Sequence, residues 1–281
     1  MTAQPEPTQS GRRGSRAYLE RIAYTHAAAP AIQAPALPLL AALHEAHLLA
    51  VPFENLSIHY GQPIILDEAA LYDKIVRRRR GGFCYELNGL FAWLLRRLGY
   101  TVDLLSAEVA ETDGFSAPFD HLTLRVRDLD GSDGADWLAD VGFGDSFRRP
   151  LRMLPGLAQD GADGYDYRLR ELSPWLMLER RDAAPPASTL DDLDAGWEPQ
   201  YRFTLRPHAL SDFVERCDYQ QTSPQSHFTQ RRICSLALPD GRISLSDLRL
   251  ITTIQGQREE RMLGSEQEYR ATLAQRFGVV L

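Results

Sequence analysis

The spacing of apolar residues changes at Gly99, and this change constrains the fold more than any other feature of the sequence. Over residues 87–98 the apolar side chains recur at intervals of three and four, which is typical of a helix packed along one face. Beyond Gly99 the period falls to two in segments 101–109, 121–127 and 136–141, which predicts strands. The chain therefore combines a helical part with a sheet.

Helical spacing also occurs before this point. It predicts helices over residues 17–24, 37–49 and 68–76. The basic run Arg77 to Arg80 suits the C-terminal end of the third helix, and the glycines that follow it break the chain. The next helix begins at Cys84.

The last third of the sequence mixes both patterns. We expect a helix over residues 209–216 and strands over 231–238 and 243–254, joined by the Asp240-Gly241 turn. Ser265 and Glu268 form a capping box that begins a final helix, which ends at Gly278.

The second and third predicted strands, joined by a short loop rich in Asp, Gly and Ser, indicate an antiparallel hairpin. We expect opposed residues to sum to 261, because that register sets Arg125 against Asp136 and separates a polar face from an apolar one. It also places His121 directly opposite Asp140, about 5 Å away.

These residues are candidates for nucleophilic catalysis. A cysteine attacks as a thiolate, and Cys84 stands after Gly81-Gly82 at a helix start, where the dipole favours negative charge. His121 is placed to take the thiol proton and Asp140 to orient the imidazole, while amides at the helix start offer an oxyanion hole. Taken singly, each residue is as well explained by packing or by a surface pair; together they predict a Cys-His-Asp triad.

Composition excludes several classes of protein. The 281 residues carry 38 acidic and 31 basic side chains, and this net charge of −7 argues against nucleic acid as a partner. Cys84, Cys217 and Cys234 lie far apart without a CxxC pair, so neither a disulfide framework nor a zinc site is expected. His44 and His47 lack a third metal ligand. With no apolar run of about 18 residues, we expect a cytoplasmic protein without a membrane segment.

Several motifs, in order along the chain, resemble those of the arylamine N-acetyltransferase family. They are YLERI at 18–22, VPFENL at 51–56, RGGFCYELNGLF at 80–91, HLTL at 121–124, DVGFG at 140–144 and TSPQSHF at 222–228. The similarity runs from residue 18 to about 230 and continues more weakly to the end.

The resemblance implies an α+β multidomain fold with a papain- or transglutaminase-like Cys-His-Asp core. We accordingly expect a helical bundle with the nucleophile (17–99), an antiparallel β-barrel with His and Asp (100–182) and an α/β lid (201–281). Composition rich in Pro, Gly and Ser predicts a disordered tail before them (1–16), and composition rich in Pro and Asp predicts a linker (183–200). It also implies that Arg80 pairs with Glu54 as a structural ion pair.

The resemblance further implies acetylation of arylamines or arylhydrazines, including xenobiotic ones, by acetyl-CoA through an acetyl-cysteine intermediate on Cys84, with no metal. We expect Gly142 and Gly144 to contact coenzyme A, helped by Arg148 or Arg149, and Phe119 and Phe143 to contact the aryl ring. Monomer and homodimer both stay open.

Two departures from the family pattern bear on the donor. Asp145 stands where a further glycine is common, which places a carboxylate near the expected phosphate site, and segment 213–217 lacks an asparagine often found there. The alternative functions are an amide synthase of the same family, acting on a carrier-bound polyketide chain, and a binding module without catalysis.

Overall fold

The structure is a computed structural model that describes residues 9–24, 35–129, 133–183 and 195–281, with the side chains of 9–13 left out. Its α-helices are α1 (Gln9–Arg21), α2 (Leu37–Ala50), α3 (Leu56–His59), α4 (Glu68–Tyr72), α5 (Cys84–Arg97), α6 (Val214–Thr222), α7 (His227–Gln230) and α8 (Glu266–Phe277). A π-helical turn continues α4 over Asp73–Arg77, and a 3-10 turn over Leu210–Phe213 leads into α6. No helix in these ranges is long and apolar enough to cross a membrane.

The strands form two antiparallel sheets. They are β1 (Phe53–Glu54), β2 (Thr101–Glu111), β3 (Gly114–Phe115), β4 (His121–Arg127), β5 (Trp137–Ala139), β6 (Leu151–Arg152), β7 (Gln159–Asp160), β8 (Tyr165–Leu172), β9 (Trp175–Asp182), β10 (Glu198–His208), β11 (Ile233–Leu238), β12 (Gly241–Ser246), β13 (Arg249–Ile254) and β14 (Gln257–Met262). The larger sheet has the order β6-β5-β4-β2-β10-β9-β8-β7, with β3 paired to β2, and the smaller has the order β1-β11-β12-β13-β14.

The larger sheet is nearly closed into a barrel. Its two edge strands, β6 and β7, are joined through one side chain: the Gln159 amide accepts from the Arg152 N–H at 2.7 Å and donates to the Arg152 carbonyl at 3.0 Å. A further backbone bond runs from the Arg148 N–H to the Gly161 carbonyl. These bonds satisfy edge groups that an open sheet would expose.

Three apolar cores follow from the alternation of side chains. The outward face of β2 and β4 packs on the helices, α5 above all; the inward face fills the barrel; and the smaller sheet packs against α8. The barrel core contains Leu105, Leu138, Phe147, Tyr167, Tyr201 and Phe203. Because α5 lies against the sheet, its first turn lies next to the start of β4.

The helices predicted between residues 37 and 98 agree with the structure, whereas the one expected over 209–216 is a 3-10 turn and a helix that continues to Thr222, and the short helices α3 and α7 were not predicted. The N-terminus also differs. Helix α1 begins at Gln9, inside the segment expected to be a tail, while residues 1–8 lie outside the described part of the chain. Gly14 lies against the ring of Trp93, where a Cβ would be only 3.2 Å from it, so the absence of a side chain lets this polar segment continue the helix onto the core. The polar composition of this segment does not reveal the contact of Gly14 with Trp93.

The predicted division at the linker 183–200 is wrong at its C-terminal end. Strand β10 starts at Glu198 and lies between β2 and β9, so this segment joins neighbouring strands and the barrel extends to His208. Residues 184–194 lie outside the described structure. Pro- and Asp-rich composition indicates a loop but does not distinguish one within a sheet from one between domains. The strand expected over 243–254 is likewise two strands that turn at Asp247.

The predicted hairpin register is offset by two residues. Leu124 pairs with Ala139 and Arg125 with Leu138, so opposed residues sum to 263 rather than 261. Because a shift of two preserves the face on which each side chain lies, Arg125 still bonds Asp136 diagonally, at 2.8 Å. Asp140 lies just beyond the end of β5 and reaches His121 along the same diagonal.

The segment before α5 is held by two buried ion pairs. Arg80 donates to Glu54 at 3.0 and 3.2 Å, which confirms the expected pair, and Lys74 donates to Glu86 at 2.7 Å. The Glu54 carboxylate also accepts from the Gly81 N–H, and Glu86 from the Phe83 N–H. These bonds fix the position at which α5 begins.

Gly81 shows how closely this segment packs. A Cβ at this position would lie 2.0 Å from the Pro52 carbonyl oxygen, although the backbone φ is not positive. We predict that Gly81→Ala lowers the free energy of unfolding by about 3 kcal/mol or more, because the clash is with backbone. Urea unfolding measures this. Gly264→Ala, with its nearest neighbour at 3.5 Å, serves as control and should change stability by about 0.5 kcal/mol at most; equal effects of both would contradict the account.

Candidate active site

Cys84 is the first residue of α5, as expected, and it is buried with only 4% of its surface exposed. Its thiol lies 4.0 Å from the carbonyl oxygen of Asp120. Burial raises the pKa of the Cys84 thiol well above its usual value; a backbone hydrogen bond from Leu122 lowers it, and the carboxylates of Asp120 and Asp140 raise it again. Because burial disfavours the charged form, a thiolate here needs a base that keeps the proton nearby.

The Asp140 carboxylate is the centre of a buried hydrogen-bond network. It accepts from His121 Nε2 at 2.6 Å and Tyr201 Oη at 2.9 Å on one oxygen. On the other it accepts from Asn88 Nδ2 at 2.8 Å and the Gly142 N–H at 3.0 Å. Burial acts to raise the pKa of this carboxyl. The charge and hydrogen bond of His121 and the hydrogen bonds of Asn88 and Gly142 outweigh burial and lower the pKa overall. Asp140 is therefore ionised.

Asn88 connects the nucleophile's helix to the other two candidates. It lies one turn beyond Cys84, and its amide donates to the Leu122 carbonyl at 2.6 Å and accepts from the Val141 N–H at 2.9 Å. The structure thus brings α5, the start of β4 and the segment after β5 together around one side chain. Cys84, His121 and Asp140 are gathered in one buried place.

His44 supports Asp140 from behind and is not a metal ligand here. Its Nε2 accepts from the Asp140 N–H at 3.0 Å and its Nδ1 donates to the Arg148 carbonyl at 2.8 Å, while the ring stacks on Phe147 at 5.6 Å. Burial lowers the pKa of His44 to about 4, so the imidazole is neutral at physiological pH. His47 instead bonds the Tyr18 hydroxyl.

Two partly exposed aromatic rings border this place. Phe143 stands edge-on to the His121 ring, with centroids 5.1 Å apart, and Phe119 packs edge-on against Phe213 at 5.2 Å. Phe119 has a φ of 65°, an unusual value for a residue with a side chain. Its carbonyl accepts from the Tyr85 hydroxyl at 2.8 Å, which holds the backbone in that conformation.

The residues expected to bind coenzyme A are largely committed elsewhere. Gly142 donates its N–H to Asp140, and a Cβ there would lie 2.8 Å from Cys84 Cα, so close packing against α5 already requires glycine at this position. Arg148 is buried and donates to the Pro239 and Gly241 carbonyls at 2.7 Å. Gly144, with a φ of 94°, and the exposed Arg149 are left as candidates.

Asp145, the departure from the family pattern, is compensated by arginine. Arg242 Nε lies 2.8 Å from its carboxylate and Arg180 Nη1 lies 3.9 Å away. The carboxylate that was expected to repel a phosphate is therefore paired with cations next to Gly144.

Sequence reasoning missed His44, Asn88 and Tyr201. Asn88 lies four residues after Cys84, so helical spacing placed it on the same face of α5. Tyr201 stands in β10 beyond the segment taken as a linker, and no local pattern relates it to Asp140. The two other cysteines are buried and free, as expected, and burial raises the pKa of each.

Comparisons with known proteins agree on one family. A family model described as N-acetyltransferase matches residues 36–281. An arylamine N-acetyltransferase of Gallus gallus, a pineal gland isozyme, is 36% identical over 94% of this chain and 93% of its own. The structure of the arylamine N-acetyltransferase from Salmonella typhimurium superposes with a TM-score of 0.83 at 32% identity, covering 95% of this chain and 91% of that one. That of the Mycobacterium marinum enzyme in complex with CoA gives 0.81 at 32% identity, over 94% and 92%.

His44 generates a prediction for the pH dependence of stability. Its pKa is about 4 in the folded state against 6.5 for the free side chain, so the unfolded state binds more protons between these values. The stabilisation is complete above pH 6.5 and is lost as the pH falls towards 4. When the pH is lowered from 7.5 to 5.5, the unfolding free energy of the wild type should fall by about 1 kcal/mol more than that of His44→Gln. Urea unfolding at the two pH values measures this difference.

The control for this measurement is His227→Gln, which removes an exposed histidine. It should follow the wild-type pH dependence. Equal losses in the wild type and His44→Gln would show that His44 is not a buried neutral base.

Proposed function

The chain belongs to the arylamine N-acetyltransferase family and is an acyltransferase, and from this premise we propose that it transfers an acetyl group from acetyl-CoA to arylamines and arylhydrazines. Cys84 would be the nucleophile, His121 the proton acceptor and donor, and Asp140 the group that orients the imidazole. The observation that carries the proposal is the 2.6 Å bond between His121 and the buried Asp140, beside a buried thiol at a helix start.

In the first half-reaction the thiol proton moves to His121. Because Nε2 is bonded to Asp140, Nδ1 is the nitrogen that takes it. The Cys84 sulfur forms a bond to the acetyl carbonyl carbon, the tetrahedral intermediate collapses, and the bond to the coenzyme A sulfur breaks. Coenzyme A leaves with the proton that His121 returns, so the enzyme holds an acetyl thioester.

In the second half-reaction an amine attacks this thioester. The nitrogen bonds the acetyl carbon, its proton passes to His121, and the Cys84 sulfur leaves and regains the starting state. Aromatic amines and hydrazines suit this step because they are uncharged at neutral pH, whereas an alkylamine with a pKa of about 10 is mostly protonated. Each half-reaction balances without a metal.

The surrounding contacts support the roles of His121 and Asp140. Tyr201 and Asn88 each hold one oxygen of the Asp140 carboxylate, which leaves it a fixed acceptor for His121. An ionised carboxylate in that position stabilises the imidazolium that forms in both half-reactions. These contacts support the proposal of a papain-like Cys-His-Asp core.

Aromatic rings and backbone suggest where the two substrates bind. Phe143 presents a partly exposed ring against His121, and Phe119, two residues before His121, presents another against Phe213, which suits a flat aryl acceptor. Gly144 follows directly on the same loop, where its backbone would contact coenzyme A. The complex of the M. marinum relative with CoA supports coenzyme A as the donor's carrier.

We predict that Cys84→Ala abolishes release of coenzyme A thiol from acetyl-CoA in the presence of anilines or hydrazines, a loss of about 10³-fold or more, because the proposed acetyl thioester forms on this sulfur. The release is measured with a thiol reagent over a panel of acceptors. Cys234→Ala, which removes a buried thiol from the core of the smaller sheet, is the matched control and should retain activity.

Mass spectrometry of the wild type after exposure to acetyl-CoA alone should find the acetyl group on Cys84. Acylation only by longer carrier-bound chains would favour the amide synthase instead. If no thioester forms an acyl-enzyme and Cys84→Ala does not change the release of coenzyme A thiol, a binding module is favoured.

A further inference from the structure

A second charged cluster lies next to the Cys84 thiol and takes no part in the proposed reaction. Asp120 immediately precedes His121, and its side chain is only 13% exposed. Its carboxylate accepts from Arg216 on α6, with Nε at 2.7 Å and Nη2 at 2.6 Å from the same oxygen. Gln220, one turn further along α6, donates to that oxygen too.

The Asp120 cluster is fixed on every side. The Arg216 guanidinium lies over the Tyr219 ring at 4.2 Å, and Gln220 accepts from the Ser226 hydroxyl at 2.5 Å. The Asp120 carbonyl accepts from the Tyr85 hydroxyl at 3.1 Å and lies 4.0 Å from the thiol. The Asp120 backbone thus approaches the buried sulfur, and the negative charge of its carboxylate opposes formation of a thiolate there unless that charge is balanced.

Several ionisable groups bear on the thiol from the surrounding elements. Asp120 in the loop before β4, Asp140 in the segment after β5 and Cys217 on α6 each raise the pKa of the Cys84 thiol. His121, the first residue of β4, is bonded to Asp140. Tyr85 follows on α5. Asp140 is balanced by its four donors, His121 among them, and within the described residues Arg216 is the only cation paired with Asp120.

We propose that Arg216 is a positioning residue that neutralises Asp120 and thereby permits the Cys84 thiolate to form beside it. The Arg216–Asp120 pair acts through the charge near the sulfur and does not touch the substrate's reacting atoms. It rests on the proposed role of Cys84 as nucleophile.

Iodoacetamide alkylation of Cys84 as a function of pH tests this role, with the Cys84 peptide followed by mass spectrometry. Arg216→Gln should slow alkylation at pH 7 about five- to tenfold and move the midpoint of the profile to higher pH, because Asp120 is left unbalanced. Arg216→Lys, which keeps the charge, should stay within about twofold of the wild type. Arg249→Gln, which breaks an arginine–carboxylate pair on β13, is the control and should match the wild type.

Two further variants separate charge from packing. Asp120→Asn should speed alkylation and lower the midpoint, and the double variant Asp120→Asn/Arg216→Gln should return close to the wild-type profile. A double variant that is alkylated as slowly as Arg216→Gln would overturn the proposal. An Asp120→Asn variant whose midpoint is not lowered would also overturn it, and this result does not depend on whether Arg216→Gln folds. Alkylation requires no acetyl-CoA, so failure of acetyl transfer would be seen separately.

Discussion

The buried carboxylate of Asp140 is the interaction on which the rest of the structure depends. An ionised carboxylate out of contact with water is costly unless donors surround it, and here there are four, three of them from distant parts of the chain. The donors Asn88, His121 and Tyr201 belong to α5, β4 and β10, so all three elements must meet at Asp140. His44 on α2 bonds the backbone N–H of Asp140. The helical layer, the barrel and the site are thus specified together, because the charge is satisfied only when all of them meet.

The sequence predicted the parts of this arrangement that local patterns encode. The helix that begins at Cys84, the strand at His121, and the last helix between Ser265 and Gly278 follow from periodicity, glycine stops and a capping box. The prediction placed each side chain of the β4–β5 hairpin on the correct face but set the register two residues off. A shift of two leaves the alternation of polar and apolar residues intact, so the pattern does not distinguish the two registers. The role of Tyr201 and the reach of the barrel to β10 depend on long-range pairing, which no local pattern reports.

Burial and reactivity oppose each other at Cys84. The first turn of α5 packs so closely against the Asp140 loop that Gly142 has no room for a side chain, and this closeness excludes water from the thiol. Exclusion of water disfavours the thiolate but strengthens any charge interaction that stabilises it. In the proposed mechanism the proton moves to His121 within the protein, while Asp140 is held by its donors and Asp120 is paired with Arg216.

The pH dependence of Cys84 alkylation in the wild type and in His121→Gln tests this account most directly. If the imidazole held by Asp140 accepts the thiol proton, the wild-type thiol reacts well below the usual thiol pKa of about 8.5, and His121→Gln moves that reactivity to higher pH. The account is contradicted if Cys84 reacts with the same pH profile in both proteins, since the thiol would then ionise without its neighbour.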